Sequence, residues 1–229
     1  IRGIYGQDLN LHNLTNFSRL FTCFITNNST ITEKSCLIAR DTRPSSDIIH
    51  RTVSAAIMEQ GIDVIDLGIA PTPFAFREST RYGNAIIVTA SHNPLEWNGL
   101  KFVINGRGIF EDELESIQQQ DILSNTEFGK LFHINSRYVS DMLELMRNNG
   151  YLDDDRNNTK IGIDPGGGAI SSFIPQLYDS LNQKFLTIND IAGISSRSPD
   201  PTTDDLFELS RLVLSKKLDL GFAFDMDAD

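Results

Sequence analysis

Three aspartates at every second position, Asp225, Asp227 and Asp229, form the run DMDAD. In an extended chain, alternate side chains share a face, so the three carboxylates can converge. Convergence is costly without a counter-charge. At an effective dielectric near 20, each pair at about 4 Å costs about 4 kcal/mol. A hard divalent cation with oxygen ligands removes that cost. An acidic surface loop is the plain alternative. The apolar run DLGFAF at 219–224 favours the metal site, because it reads as a buried strand and α/β proteins build sites beyond the C-terminal ends of strands. A calcium loop of the EF-hand type would need a helix there instead.

A second chemical stretch is TASHNPLEWNGLKF, residues 89–102. An apolar strand ends near Ala90. Pro94 then stiffens the chain and pushes Asn93 to extended geometry. Ser91 is presented beside His92, with Lys101 further along. A serine hydroxyl can carry a phosphoryl group, and a neighbouring His or Lys can move a proton or stabilise charge. The same letters also make an ordinary turn, and composition alone does not choose between the two. Trp97 packs the loop. In ARDTRPS, residues 39–45, Arg40 and Arg43 flank a strand end before a helix. They can fork onto phosphate, or pair with Asp41 or Asp47. PGGGA, residues 165–169, matches neither the Walker pattern nor G-x-G-x-x-G and reads as a tight strand-to-helix turn.

The elements that must hold these groups alternate. CLIAR at 36–40 is a strand. Residues 45–60 carry a helical period through Ile49, Val53, Ala56 and Ile57, with Ser45 or Ser46 as cap and Gly61 as stop. Strands at 63–68, 85–90 and 100–104 and helices near 73–81 and 111–120 follow. Residues 138–149 are helical, and the polar run 153–159 is a solvated linker. The pattern restarts with a strand at 160–164, a helix at 170–182 and a strand at 184–188. A further helix is capped by Thr203, with Asp204 and Asp205 in its first turn and Lys216 and Lys217 in its last. These spacings predict an α/β protein of two successive βαβ-type domains with mixed, largely parallel sheets. The divisions are residues 1–135, a connecting helix and linker at 136–158, and 159–229.

The chain has 229 residues, 40% of them hydrophobic, and a net charge of −11. Neither half has a basic excess, so nucleic acid is excluded as a partner. No apolar run is long enough for a membrane span. Two cysteines, Cys23 and Cys36, make no disulfide framework and no zinc motif, which fits a cytoplasmic setting. Ile1 is not an initiator methionine, and Asp229 lies in what reads as a loop, so a fragment of a longer protein is expected. Oligomeric state is not set by these features.

Taken in order, IRG (1–3), RDTR-PS (40–45), DLGIAPTP (66–73), TASHNP (89–94), NG-K (98–101), the D-GGGA turn (164–169), SPDPTTDDL (198–206) and DMDAD (225–229) resemble the α-D-phosphohexomutases. That family comprises phosphomannomutase, phosphoglucomutase and phosphoglucosamine mutase. The resemblance implies the first two of four domains. It implies interconversion of hexose 1-phosphate and 6-phosphate through a phosphoserine at Ser91 and a sugar bisphosphate intermediate. One Mg²⁺ would be held by Ser91, Asp225, Asp227 and Asp229. His92 and Lys101 would act beside the transferred group, and Arg2 and Arg43 would hold phosphate. Three aspartates and a phosphoserine sum to about −5, which one Mg²⁺ and three inward cations would offset. Lacking the sugar-reading domain, the fragment is expected to be inactive alone, and the hexose is not specified. The family's usual Gly is Met226 here, which is tolerable if that position needs no positive φ. Two alternatives stand beside this: a non-catalytic sugar-phosphate binding module, and a haloacid-dehalogenase-like phosphatase using Asp225 as nucleophile.

Overall fold

A computed structural model describes residues 1–28, 31, 34–122, 126–151, 159–181, 185–203 and 206–229. The first unit runs β1 (Arg2–Ile4), α1 (Leu11–Asn27), β2 (Ser35–Arg40), α2 (Ser46–Glu59), β3 (Asp63–Ile69), α3 (Thr72–Tyr82), β4 (Asn84–Val88), β5 (Trp97–Ile104), β6 (Arg107–Gly108), α4 (Glu111–Gln118) and β7 (Leu131–His133). Its seven strands lie in the order β1-β5-β4-β2-β3-β7, with β6 on β5. The middle of the sheet is parallel, through β4-β2, β2-β3 and β3-β7. β5 runs antiparallel to both β4 and β1.

The central strands are apolar on both faces because helices cover both. Cys36, Ile38, Ile86 and Val88 face one side, against Phe21 and Ile25 of α1 and Ile49, Val53 and Ile57 of α2. Leu37, Ala39, Ala85 and Ile87 face the other, against Phe74 and Ala75 of α3. Helix α1 was not read from the sequence. Asn10 caps it, its Oδ1 accepting from the Asn13 amide at 3.0 Å while Asn13 Oδ1 accepts from the Asn10 amide at 2.9 Å. At α2 the expected serine cap is not made: Ser45 holds the N-cap position without a cap hydrogen bond. The Ser46 hydroxyl is drawn instead to Asp41.

Helix α5 (Tyr138–Asn148) follows and leads to the second unit: β8 (Ile161–Asp164), a 3-10 turn (Ala169–Phe173), α6 (Ile174–Leu181), β9 (Phe185–Thr187), α7 (Phe207–Lys216) and β10 (Leu220–Ala223). These strands are parallel in the order β10-β8-β9. Val139 and Leu143 of α5 are buried with Phe74 and Ile170, so apolar contact is continuous between the units. Tyr138 stacks on Phe74 at 4.2 Å between ring centroids.

Three expectations are corrected here. The helix expected from residue 170 opens with the 3-10 turn and becomes α-helical only at Ile174. The helix expected from Thr203 begins at Phe207, with Leu206 at its N-cap and Lys217 beyond its end. Asp204 and Asp205 lie outside the described residues, as does nearly all of the expected linker at 153–159. Strand β10 is not buried: Leu220 is 50% and Phe222 47% exposed. It is an edge strand in the described sheet, and α7 covers only its other face, where Leu209 and Val213 meet Gly221. An apolar run does not distinguish edge from centre. Among the described residues, no helix is long and apolar enough to cross a membrane.

Candidate active site

The loops that follow β2, β3, β4, β8 and β10, all at C-terminal strand ends, meet in one place. The loop after β4 presents Ser91. Its backbone is left-handed, φ 56°, a conformation that costs a non-glycine residue on the order of 1 kcal/mol. Local bonds hold it there. The Ser91 amide donates to Thr89 Oγ1 at 2.9 Å, and the Asn93 amide to the Ala90 carbonyl at 3.2 Å.

Arg43 supplies the rest, and this corrects its expected role. Its donors turn to the protein's own groups. Its guanidinium is fully buried and pairs through Nε with Asp41 Oδ2 at 3.0 Å. Nη1 donates to the Pro94 carbonyl at 2.5 Å and the Trp97 carbonyl at 3.1 Å. Nη2 donates to the carbonyls of Asn93, at 2.7 Å, and Ser91. Every donor nitrogen is spent on Asp41 and the loop backbone. Arg40 takes the other expected alternative and pairs with Asp47 at 3.3 Å. Arg2 lies exposed on β1 beside Gly99 and has no carboxylate partner among the described residues. No hydrogen bond or ion pair joins it to Ser91 or the aspartates among the described residues.

The loop after β10 brings the three aspartates together, one carboxylate oxygen from each lying within 4.8 Å of the others. Ser91 Oγ donates to Asp225 Oδ2 at 3.0 Å and lies 3.5 Å from Asp229 Oδ1. His92, exposed at the rim, places Nδ1 3.4 Å from Ser91 Oγ. Lys101 Nζ donates to Asp227 Oδ2 at 2.9 Å and Asp229 Oδ2 at 2.5 Å. Thr72, at the start of α3, donates from Oγ1 to Asp227 Oδ2 at 2.6 Å and from its amide to the Asp227 carbonyl at 2.8 Å. Its motif is visible in the sequence, but nothing local marks it as a partner of a residue 155 positions away.

The glycine turn sets the depth of this loop. The Ala169 amide donates to the Met226 carbonyl at 2.9 Å. A Cβ on Gly168 would lie 2.8 Å from the Asp225 carbonyl oxygen, so only glycine permits that approach. Met226 is buried and is not among the positive-φ residues, so its side chain is accommodated in place of glycine. Ala228 takes the left-handed conformation instead, φ 55°. The turn also meets the first unit: Thr42 Oγ1 donates to the Gly167 carbonyl at 2.7 Å.

Electrostatics divide the triplet. Burial, then the Asp227 charge, push the Asp225 carboxyl up to about 6. Burial opposes ionisation of Asp227 too, but Lys101 and Thr72 outweigh it and hold that carboxyl below its usual range. Burial works against the Lys101 ammonium, and Asp227 and Asp229 more than compensate, raising it. Two buried carboxylate oxygens, Asp225 Oδ1 and Asp227 Oδ1, have no hydrogen-bond partner among the described residues. Buried, unpaired carboxylate oxygens are expensive. An all-oxygen cradle with two orphaned anionic atoms suits a hard divalent cation.

The family model "Phosphoglucomutase/phosphomannomutase, alpha/beta/alpha domain I" matches residues 1–127, and the model for domain II matches residues 136–229. The chain is 36% identical over 203 residues to the "Probable phosphoglucosamine mutase" of Pyrococcus abyssi, a match covering 84% of this chain and 44% of that protein. It is 31% identical to the phosphoglucosamine/phosphogalactosamine mutase of Sulfurisphaera tokodaii over 100% of this chain and 52% of the relative. The chain thus spans about half the length of the curated relatives it matches. A crystal structure of a phosphoglucomutase/phosphomannomutase family protein from Burkholderia thailandensis superposes with a TM-score of 0.81 at 24% identity, over 99% of this chain and 51% of that one, a likeness of fold. By both domain models, this chain belongs to the phosphoglucomutase/phosphomannomutase family.

Proposed function

We propose that this chain carries the phosphoryl-donor and metal-binding part of a phosphohexomutase that interconverts hexose 1-phosphate and 6-phosphate. The observation that carries this reading is the 3.0 Å contact of Ser91 Oγ with Asp225, one of three clustered carboxylates that include two orphaned oxygens. Asp225, Asp227 and Asp229 would hold Mg²⁺, with an oxygen on Ser91 completing the set. Bound there, the cation would neutralise charge on the transferred phosphoryl group.

This chain's own residues do the rest. Ser91, held rigidly in its loop, bears the phosphoryl group at a fixed place. Transfer breaks its Oγ–P bond as a sugar hydroxyl oxygen forms a new one. The hydroxyl's proton must leave and Ser91 Oγ must gain one. His92 Nδ1, 3.4 Å from Oγ, lies within reach to exchange that proton. Lys101 contacts Asp227 and Asp229 and not Ser91, so its role is to offset charge. The product is a sugar bisphosphate, which returns its other phosphoryl group to Ser91. The relatives' names make glucosamine phosphate the first hexose phosphate to test. The reading also places the protein in the cytoplasm, in keeping with its two buried free thiols.

The test is transfer from hexose bisphosphate with Mg²⁺, followed by peptide mass spectrometry. Phosphate on the Ser91 peptide, absent from Ser91→Ala, is expected. Phosphate on Asp225, as the dehalogenase-like alternative requires, or on neither residue, would sink the reading.

A further inference from the structure

We infer that Arg197 is the positioning residue of the acidic loop, fixing Asp225 from behind; this rests on the metal-site reading above. The Arg197 side chain is almost fully buried and faces Asp164 at the end of β8, with side-chain exposures of 7% and 2%. Nε donates to Asp164 Oδ2 at 2.9 Å. Nη2 donates to the Phe224 carbonyl at 2.6 Å and lies 3.3 Å from the Asp164 carbonyl. Nη1 donates to the Ser198 carbonyl at 2.9 Å.

Phe224 immediately precedes Asp225. On the other side, the Met226 carbonyl is held by the Ala169 amide at 2.9 Å. Both carbonyls that bracket Asp225 are therefore anchored, one by Arg197 and one by the glycine turn. The two anchors are joined. Asp164 Oδ1 accepts from the Gly166 amide at 2.8 Å, and Arg197 Nη2 lies so close that a Cβ on Gly166 would come within 2.7 Å of it. One guanidinium thus ties the end of β8, the glycine turn and the backbone of the first aspartate into one rigid base.

The sign of the effect separates this role from simple electrostatics. A guanidinium near a cation site repels the cation, so removing it by charge alone should tighten metal binding. Removing an anchor should weaken it, because outer supports of ligands commonly carry about 10- to 100-fold in affinity. Lysine keeps the charge and can reach Asp164, but lacks the planar fork that also serves Phe224.

The experiment is calorimetric titration of the 229-residue chain with Mg²⁺, with circular dichroism as a control of fold. Wild type, Asp227→Asn, Arg197→Lys and the double variant Arg197→Met/Asp164→Asn are compared. The double variant avoids leaving a buried carboxylate unpaired. Binding by wild type and its loss in Asp227→Asn support the site. Weakening of about tenfold or more in folded Arg197→Lys and in the folded double variant supports the inference. Unchanged or tighter binding in either folded variant overturns it while leaving the metal site standing. Failure of both to fold overturns it in favour of a general structural role. Wild type without Mg²⁺ binding fails the metal reading itself, and the inference with it.

Discussion

Two loops, one carrying Ser91 and one carrying the aspartates, are built on the same plan with different wiring. Each follows a parallel strand, and each contains one left-handed non-glycine residue, Ser91 at φ 56° and Ala228 at φ 55°. Each is backed by a buried Arg–Asp pair whose guanidinium donates to loop carbonyls. Arg43 and Asp41 are two residues apart, and the loop they hold is about fifty residues further on. Arg197 and Asp164 are 33 apart, and the loop they hold is 27 beyond Arg197. The first pair is therefore legible as a motif, RDTR, in which pairing with Asp41 stood beside phosphate binding as an alternative. The second is invisible until the chain folds. The general lesson is that a fully buried arginine beside a candidate site is first an organiser of backbone, because desolvating its charge demands partners at every donor.

The largest expected effect comes from Ser91→Ala. Phosphoryl acceptance should vanish, whereas Mg²⁺ affinity should change by less than about threefold, since a neutral hydroxyl contributes little charge. A comparable loss of metal binding would show that the Ser91 oxygen, and not the three carboxylates, dominates the metal site. Next is Arg43→Met, which leaves Asp41 buried and unpaired. Chemical denaturation should show a loss of about 3–5 kcal/mol. An effect below about 1 kcal/mol would mean that Arg43 is not the support of the Ser91 loop, and that its likeness to Arg197 is superficial.

Thr72→Val probes the aspartate side alone. It removes the 2.6 Å bond to Asp227 Oδ2 but keeps the backbone bond. The cost should be about 1.5–3 kcal/mol in denaturation, as expected for a hydrogen bond to a charged group. An effect on Ser91 phosphorylation at saturating Mg²⁺, with stability unchanged, would blur the division between the loops. The smallest effect belongs to Asp47→Asn. It breaks the pairs with Arg40 and Arg51 at a carboxylate that is 51% exposed. Thermal unfolding should register at most about 1 kcal/mol. A larger loss would refute the claim that burial, rather than pairing as such, separates Arg43 from Arg40.

Hydrophobic period and turn residues by themselves determined the alternation of strands and helices. Ser91, His92, Lys101 and the aspartates were legible because each sits in a short run where one residue's chemistry implies the next. Helix α1 was not read, although Asn10 and Asn13 offered a capping signal. The exposure of β10 was misread, because an apolar run says nothing of how many neighbours a strand has. Only the tertiary structure decided that Arg43 donates to the carbonyls of the Ser91 loop, that Thr72 reaches Asp227, and that Arg197 donates to the carbonyl before Asp225. Those facts depend on contacts between residues 27 to 155 positions apart. Sequence fixes which donors exist. Burial decides which acceptors they are forced to find.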